Sequence, residues 1–303
     1  MEIGVVGAGK MGGNMARRWR AGGIDVAVFD RSAAALEEMA AVSGMRTFPS
    51  LPALVEALPA PRLLWLMLPT GKPTEQTIEE LLALLAPGDL IVDGANAHYR
   101  DSQRHAKRLE ERSVTFVDAG VSGGIWGINE GYGLMFGGEA AAIERVAPLA
   151  RILAPSPDKG WVHCGPAGAG HFAKMVHNGI EYGLMQAYAE GFSLLAARQH
   201  DLELPLQEIA EAWCHGTVIR SWLLELTAGV LQDGETLASI AAEIADSGEG
   251  RWTAQEAIDL GVPAPVINAA LMARFSSQGS GDFGARLLAM LRNAFGGHAI
   301  PRN

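Results

Sequence analysis

Five polar residues crowd one short stretch of this chain: Lys174, His177, Asn178, Glu181 and Tyr182, within GPAGAGHFAKMVHNGIEYGLMQ, residues 165–186. Glycines and a proline lead in, and an apolar-periodic segment follows with no breaker to about Arg198. That pattern predicts one long helix, ending near Gln199. At about 100° per residue, the five side chains share an arc of roughly 140°. Met175, Ile180, Leu184 and Met185 are expected to pack the flanks, which makes the polar face a poor solvent face and a good wall for a cleft. A lysine and a glutamate two turns apart can serve one small molecule as base and acid. The competing reading is an exposed face of i,i+4 and i,i+7 polar neighbours. The elements around the helix separate the two.

Ile3 to Val6 is a short apolar run that ends in Gly7-Ala8-Gly9-Lys10-Met11-Gly12, and Gly13 to Arg20 continues as a helix. A G-x-G-x-x-G turn between strand and helix is built for a dinucleotide. Gly7 permits the tight turn, Gly9 lets the pyrophosphate approach the backbone, and Gly12 allows close packing of helix on strand. The helix N-terminus then faces the anion. Ala8, Lys10 and Met11 belong to the same cofactor turn. A second strand, Asp25 to Phe29, ends in Asp30, 18 residues past Gly12. An acid near that spacing accepts from the ribose hydroxyls and favours NAD. Arg31 beside it could hold a 2′-phosphate, stack on adenine or simply be solvated. The expectation is NAD, with NADP possible.

Strands then alternate with helices: Arg62 to Leu68, Leu90 to Val92 and Val114 to Val117 as strands, Thr74 to Leu85 and Tyr99 to Arg112 as helices. This spacing predicts a doubly wound, mostly parallel sheet, whose ligands bind at the carboxyl ends of its strands. Leu68 and Pro69 lie at that edge and join the cofactor candidates. Asn96 lies there too, facing cofactor or substrate, with His98 after it. So does a loop read as Asp118 to Gly124, in which Ser122-Gly123-Gly124 offers a hydroxyl and backbone N–H groups to a carboxylate or hydroxyl. Ordinary turns are the alternative, since Asn, Ser and Gly dominate turns. Strand Tyr132 to Phe136, helix Ala140 to Leu153 and strand Trp161 to Cys164 complete an α/β Rossmann domain over 1–164. Residues 165–303 read as an all-α domain. Its helices are expected at 206–215, 218–232, 236–245, 254–260 with Thr253 as N-cap, 265–276 and 283–295.

Composition narrows the partners. The 303 residues are half apolar and carry a net charge of −10, which disfavours nucleic acid and anionic membranes. An anionic substrate would need a locally basic pocket. Two cysteines, Cys164 and Cys214, cannot build a disulfide framework or a cysteine-rich metal site. No metal is expected. Met1 leads almost directly into a strand, and no apolar run approaches the roughly 20 residues of a membrane span, so the expected location is the cytoplasm.

Taken together, these segments resemble the 6-phosphogluconate dehydrogenases of the short bacterial type, within the β-hydroxyacid dehydrogenase superfamily. GVVGAGKMGGNMARR, DAGVSGG and the lysine helix carry the superfamily pattern. HFAKMVHNGIEYGLMQ (171–186), DGANAHYRDS (93–102), GRWTAQEAIDLGVPAP (250–265), ALMARFSS (270–277) and the tail LRNAFGGHAI (291–300) carry the narrower likeness.

The resemblance implies Lys174 as general base on the substrate's 3-hydroxyl and Glu181 as the later acid. It implies that Asn96, Ser122, Gly123, Gly124, His177 and Asn178 hold the sugar acid. Tyr182 and Arg274 would bind its phosphate, joined by Arg292 and His298 of a neighbouring subunit, in a homodimer or homotetramer. The expected reaction is oxidation of 6-phosphogluconate to a β-keto acid that loses CO2 to give ribulose 5-phosphate, with no metal. The chain departs from the family pattern at Ala97, where relatives often carry serine, and at His98, where long members carry glutamate. The loop before Trp252 is shortened and lacks a phosphate-binding lysine, with Ser247 nearest, and the second helical repeat of long members is missing. The rival readings are a dehydrogenase of 3-hydroxyisobutyrate or an unphosphorylated sugar acid, and a non-catalytic dinucleotide sensor.

Overall fold

The computed structural model describes residues 1–42 and 44–296. The chain divides into two compact units, Met1–Val176 and the remainder from His177.

The first unit is built on eight strands: β1 (Glu2–Val6), β2 (Asp25–Phe29), β3 (Arg46–Phe48), β4 (Leu63–Leu66), β5 (Leu90–Asp93), β6 (Thr115–Ser122), β7 (Gly133–Gly138) and β8 (Trp161–Gly165). They form one sheet in the order β3-β2-β1-β4-β5-β6-β7-β8. Strands β1 to β6 are parallel, β7 runs antiparallel to β6, and β8 follows β7 in parallel. Between them run α1 (Lys10–Ala21), α2 (Ala33–Ala40), α3 (Leu51–Ala57), α4 (Lys72–Leu84), α5 (Tyr99–Glu110), the short α6 (Gly127–Glu130) and α7 (Ala140–Leu153).

Helices cover both faces of the sheet, so its strands are apolar without interruption. In β4, Leu63 and Trp65 enter one core with Trp19, Tyr132 and Phe136, and Leu64 and Leu66 enter the other with Leu54, Ile78 and Leu81. Trp65 anchors the first core, its ring edge-on to Trp19 at 4.9 Å and to Phe136 at 6.1 Å.

Two features of this unit differ from the sequence reading. The segment read as a loop from Asp118 is strand as far as Ser122, because β7 returns alongside it and pairs Ser122 with Gly133. An antiparallel neighbour extends β6 beyond the reach of its parallel partner β5. The second difference is an unread stretch that holds α2, β3 and α3. Ser32 caps α2 and Ser50 caps α3, each accepting an N–H at 3.3 Å. The three-residue β3 is too short to show alternation.

Helix α8 (Ala169–Leu202) is 34 residues long, about 50 Å at 1.5 Å per residue. From His177 the second unit continues with α9 (Leu206–Cys214), α10 (Trp222–Leu231), α11 (Gly234–Ser239), α12 (Glu249–Asp259), α13 (Pro265–Ser277) and α14 (Asp282–Gly296). There is no strand among its described residues. Helix α10 starts at Trp222 rather than Val218, because Ser221 accepts the Leu224 N–H and caps it there. Helix α11 ends at Ser239, short of the expected 245. Helix α12 begins at Glu249, behind a left-handed Gly248, so Thr253 is not its N-cap. The Thr253 hydroxyl donates to Glu249 O inside the helix.

Candidate active site

The expected site residues fall into two groups, one in each unit. In the first unit the glycine-rich turn closes the end of β1. Gly7 has φ +97°, and a β-carbon on Gly12 would stand 2.0 Å from Gly7 O, so strand and helix touch there. A β-carbon on Gly9 would meet nothing within 4 Å, which leaves open space where a pyrophosphate needs to reach the backbone. Lys10 is exposed and Met11 packs partly into the core. Asp30 accepts from Ala8 N at 2.6 Å and Ser32 N at 2.7 Å. The carboxylate therefore ties the turn to the end of β2 and keeps lone pairs for hydroxyl donors. Arg31 is exposed, as is Pro69, and Leu68 is half-buried. This donor set fits a dinucleotide: an open backbone cradle at a helix N-terminus, with a carboxylate at the ribose position.

Asn96 sits past β5 with φ +51°. Its amide pairs twice with the Val121 backbone, donating to Val121 O at 3.0 Å and accepting from Val121 N at 2.9 Å. One amide hydrogen and one lone pair remain for a ligand. Ser122 ends β6, and the chain then turns through Gly123 (φ +124°) and Gly124 (φ +54°), conformations that glycine adopts without strain.

Lys174 is 5% exposed. Its side chain lies directly on Gly120 of β6, where any β-carbon would stand 2.4 Å from Lys174 Cβ. Asp118 of β6 secures this part of α8, accepting from Gly168 N at 2.6 Å and His171 N at 2.7 Å. A carboxylate suits the positive end of the helix. Burial nonetheless pushes Asp118 up to about 6, against those N–H groups.

In the second unit, His177, Asn178 and Glu181 are half-buried on α8. His177 Nδ1 lies 3.1 Å from Asn178 Oδ1 and 3.8 Å from Glu181 Oε2. Tyr182 is buried, its hydroxyl 2.9 Å from Ser247 Oγ. The Arg274 guanidinium lies 3.5 Å above the Tyr182 ring and donates to Ala245 O at 2.9 Å. Gly250 lets α12 close on this ring, since a β-carbon there would stand 2.5 Å from Tyr182. Burial would push Asp246 up, but the paired Arg251 and the Gly248 N–H hold it below the usual carboxylate range. Tyr182, Ser247 and Arg274 thus form one hydroxyl-and-guanidinium cluster suited to an anion. Arg292 is exposed on α14, and His298 lies outside the described residues.

The expected packing of the α8 flanks fails in part. Met175 is buried, but Ile180, Leu184 and Met185 are 53%, 45% and 41% exposed. Among the described residues, the buried apolar cluster of this unit is Phe192, Ala210, Leu224 and Ala228, with Tyr188, Leu195 and Trp213 packed against it, and it does not cover them. The sequence reading also missed His171 and Ser102. His171 lies inside the same arc as Lys174, one turn earlier, and is 1% exposed. Its periodicity was the available signal. Among the described residues, no group of three or more His, Cys, Asp or Glu could hold a metal, and no helix is long and apolar enough to cross a membrane.

A doubly wound sheet with an open glycine cradle and a buried lysine at its ligand edge, followed by a helical unit, is the architecture of a dinucleotide-dependent dehydrogenase. Comparison with known proteins narrows this class. Residues 2–162 match the NAD binding domain of 6-phosphogluconate dehydrogenase, and residues 170–300 match the 6-phosphogluconate dehydrogenase C-terminal domain. The chain belongs to the 6-phosphogluconate dehydrogenase family.

It is 41% identical over 303 residues to the NAD(+)-dependent decarboxylating 6-phosphogluconate dehydrogenase of Haloferax volcanii, covering 100% of this chain and 99% of the relative. It is 38% identical over 288 residues to the NADP(+)-dependent decarboxylating enzyme of Bacillus subtilis, covering 91% of this chain and 61% of the longer relative. Among solved structures it is similar to the Plasmodium falciparum 6-phosphogluconate dehydrogenase, described in apo form and in complex with its cofactor NADP+ and its substrate 6-phosphogluconate. The TM-score is 0.85 at 29% identity, covering 100% of this chain and 66% of that one.

Proposed function

We propose that the chain oxidises 6-phospho-D-gluconate and decarboxylates it to D-ribulose 5-phosphate and CO2, with NAD as the preferred acceptor. The observation that carries this reading is the buried Lys174, seated on Gly120 at the ligand edge, with Glu181 two turns further along the same helix. A bound nicotinamide would accept the hydride from C3. Asp30 with the Gly7–Gly12 turn, lined by Leu68 and Pro69, would hold that cofactor. In its neutral form, Lys174 takes the proton of the 3-hydroxyl at Nζ. The resulting 3-ketone is β to the carboxylate and serves as the electron sink when the C1–C2 bond breaks, so the step needs no metal. Protonated Lys174 donates to the developing enolate oxygen. Glu181 then gives its proton to the carbon that lost CO2.

Ser122, Gly123, Gly124, His177, Asn178 and the free positions of Asn96 are the proposed holders of the sugar acid. Tyr182, Ser247 and Arg274 are the proposed phosphate ligands. Arg292 and His298 of a neighbouring subunit complete the proposal, in a homodimer or homotetramer. Support comes from the exposed apolar side chains of the second unit, including Ile180, Leu184, Phe283, Leu287 and Leu288. Surfaces of that kind call for burial against another chain. The proposed location is the cytoplasm.

One assay tests the reaction. 6-Phosphogluconate is offered with NAD and then NADP, and reduced nicotinamide and released CO2 are followed together. Equal yields are expected, with NAD faster. Reduction without CO2 would overturn the decarboxylation, and equal rates on gluconate would overturn the phosphate requirement. Sedimentation of the active species tests the assembly, since a fully active monomer contradicts it.

A further inference from the structure

Lys174 can act on a substrate only if the first turns of α8 hold it at one depth and one rotation. Asp118 grips two main-chain N–H groups of those turns, at Gly168 and His171. Gly170 brings the helix onto β7, where a β-carbon would stand 2.4 Å from Met135 O. Both contacts lie on the backbone close to the start of the helix, ahead of Lys174.

A third contact is made by side chains. Ser102 is fully buried on α5, and its Oγ lies 2.7 Å from Nδ1 of His171. His171 projects from the same arc of α8 as Lys174, three residues ahead of it. A bond from α5 to that arc adds a side-chain restraint on the rotation of the helix. Burial pushes the His171 imidazole down to about 4, against the pull of the Ala119 and Asp93 carbonyls. The ring is therefore neutral near pH 7 and sets no second cation beside the lysine.

We propose that the Ser102–His171 pair is a positioning device for Lys174, locking the rotation of α8 so that the amino group meets the reacting hydroxyl. Both side chains are buried, Ser102 fully and His171 to 1% exposure, and the pair acts through the lysine. The inference rests on the role of Lys174 given above. A displacement of about 1 Å at a reacting group can cost on the order of 10²-fold in rate, which sets the scale of the effect.

The test compares wild type with Ser102→Ala, Ser102→Thr and His171→Gln. It reads kcat and KM on 6-phosphogluconate with NAD, NADH affinity by fluorescence titration, the melting temperature, and amide hydrogen exchange over residues 168–176. The expected result for Ser102→Ala is a kcat lowered by about 10- to 100-fold, with KM and NADH affinity within about threefold. Exchange should quicken in 168–176 and nowhere else, and Ser102→Thr, which keeps the hydroxyl, should recover most of the rate. A kcat within about twofold of wild type for both Ser102→Ala and His171→Gln overturns the proposal. So does a loss of kcat matched by equal losses in KM, NADH affinity and melting temperature, because that is the mark of general destabilisation. If wild type itself fails to turn over 6-phosphogluconate, the functional reading falls separately. The exchange measurement then decides the lock, with unchanged exchange in Ser102→Ala overturning it.

Discussion

Gly120 and Lys174 are in direct contact: the lysine side chain occupies the place a side chain at 120 would take, and a β-carbon there would stand only 2.4 Å from Lys174 Cβ. The lysine Cβ is fixed to the helix and cannot swing aside, so any larger residue in β6 must push α8 outward. Gly120→Ala is expected to lower kcat by about 10²-fold while NADH binding stays near wild type. Steady-state kinetics paired with a fluorescence titration check it, and an unchanged kcat would refute the contact's importance.

Lys174 and Glu181 are expected to separate by step. Lys174→Met should remove turnover by at least about 10³-fold and leave dinucleotide affinity nearly intact, since the proton acceptor is lost and the cradle is not. Glu181→Gln should slow product formation after reduction, so that reduced nicotinamide appears in a burst ahead of ribulose 5-phosphate. Rapid-quench analysis of both products distinguishes the two variants, and retained activity in Lys174→Met contradicts its role.

Arg274 lies over the Tyr182 ring at 3.5 Å with a bond to Ala245 O, leaving guanidinium donors for an anion. Arg274→Met should raise KM for 6-phosphogluconate by about 10- to 100-fold, the weight of one or two charge-assisted bonds. Its rate on gluconate should barely move. Comparable losses on both substrates would show that Arg274 is structural.

Asp30 spends part of each carboxylate oxygen on the backbone of Ala8 and Ser32. Asp30→Asn keeps the shape but loses the charge that repels a 2′-phosphate. NAD affinity is expected to fall about tenfold and NADP affinity to rise, with Arg31 free to pair with the phosphate. Isothermal titration with the two dinucleotides checks both signs.

Asp93 is fully buried at the end of β5, with one oxygen accepting from Ala95 N at 3.0 Å. Desolvation pushes it up to about 7. An unfolded chain ionises this carboxyl near 4 whereas the folded one resists, so the folded state is progressively disfavoured as pH rises from about 4 to about 7. Asp118, raised to about 6, acts in the same direction. His171, lowered to about 4, opposes them between about 4 and 6.5, because there the unfolded chain binds the extra proton. Two carboxyls against one histidine leave stability falling with pH. Asp93→Asn should therefore lose less melting temperature than wild type between pH 5 and pH 8, as thermal unfolding at the two values would show.

Much of the first unit was legible because its signals are local. The turn at Gly7 to Gly12 follows a strand in sequence, and the spacing to Asp30 is a count along the chain. Strand β3 and its two short helices were not legible, since three strand residues and seven or eight helical ones carry little periodicity. The extension of β6 to Ser122 depends on β7, a partner that returns only after the turn at Gly123 and Gly124. The flanks of α8 were misjudged for a related reason. Periodicity shows that Ile180, Leu184 and Met185 share a helix, but it does not show whether the same chain supplies anything to cover them.

The sequence by itself determined the dinucleotide turn, the acid at the end of β2, the alternation of strands and helices, and the arc that carries Lys174 and Glu181. These follow from residue types and fixed helical or strand periods. Tertiary structure alone decided that Lys174 is buried against Gly120, that Asn96 pairs twice with Val121, and that Ser102 holds His171. Those contacts join residues 25 to 69 positions apart, and no local period encodes such a pairing. It emerges only when the sheet has formed and brings the ends of β5 and β6 and the face of α5 up to one side of α8.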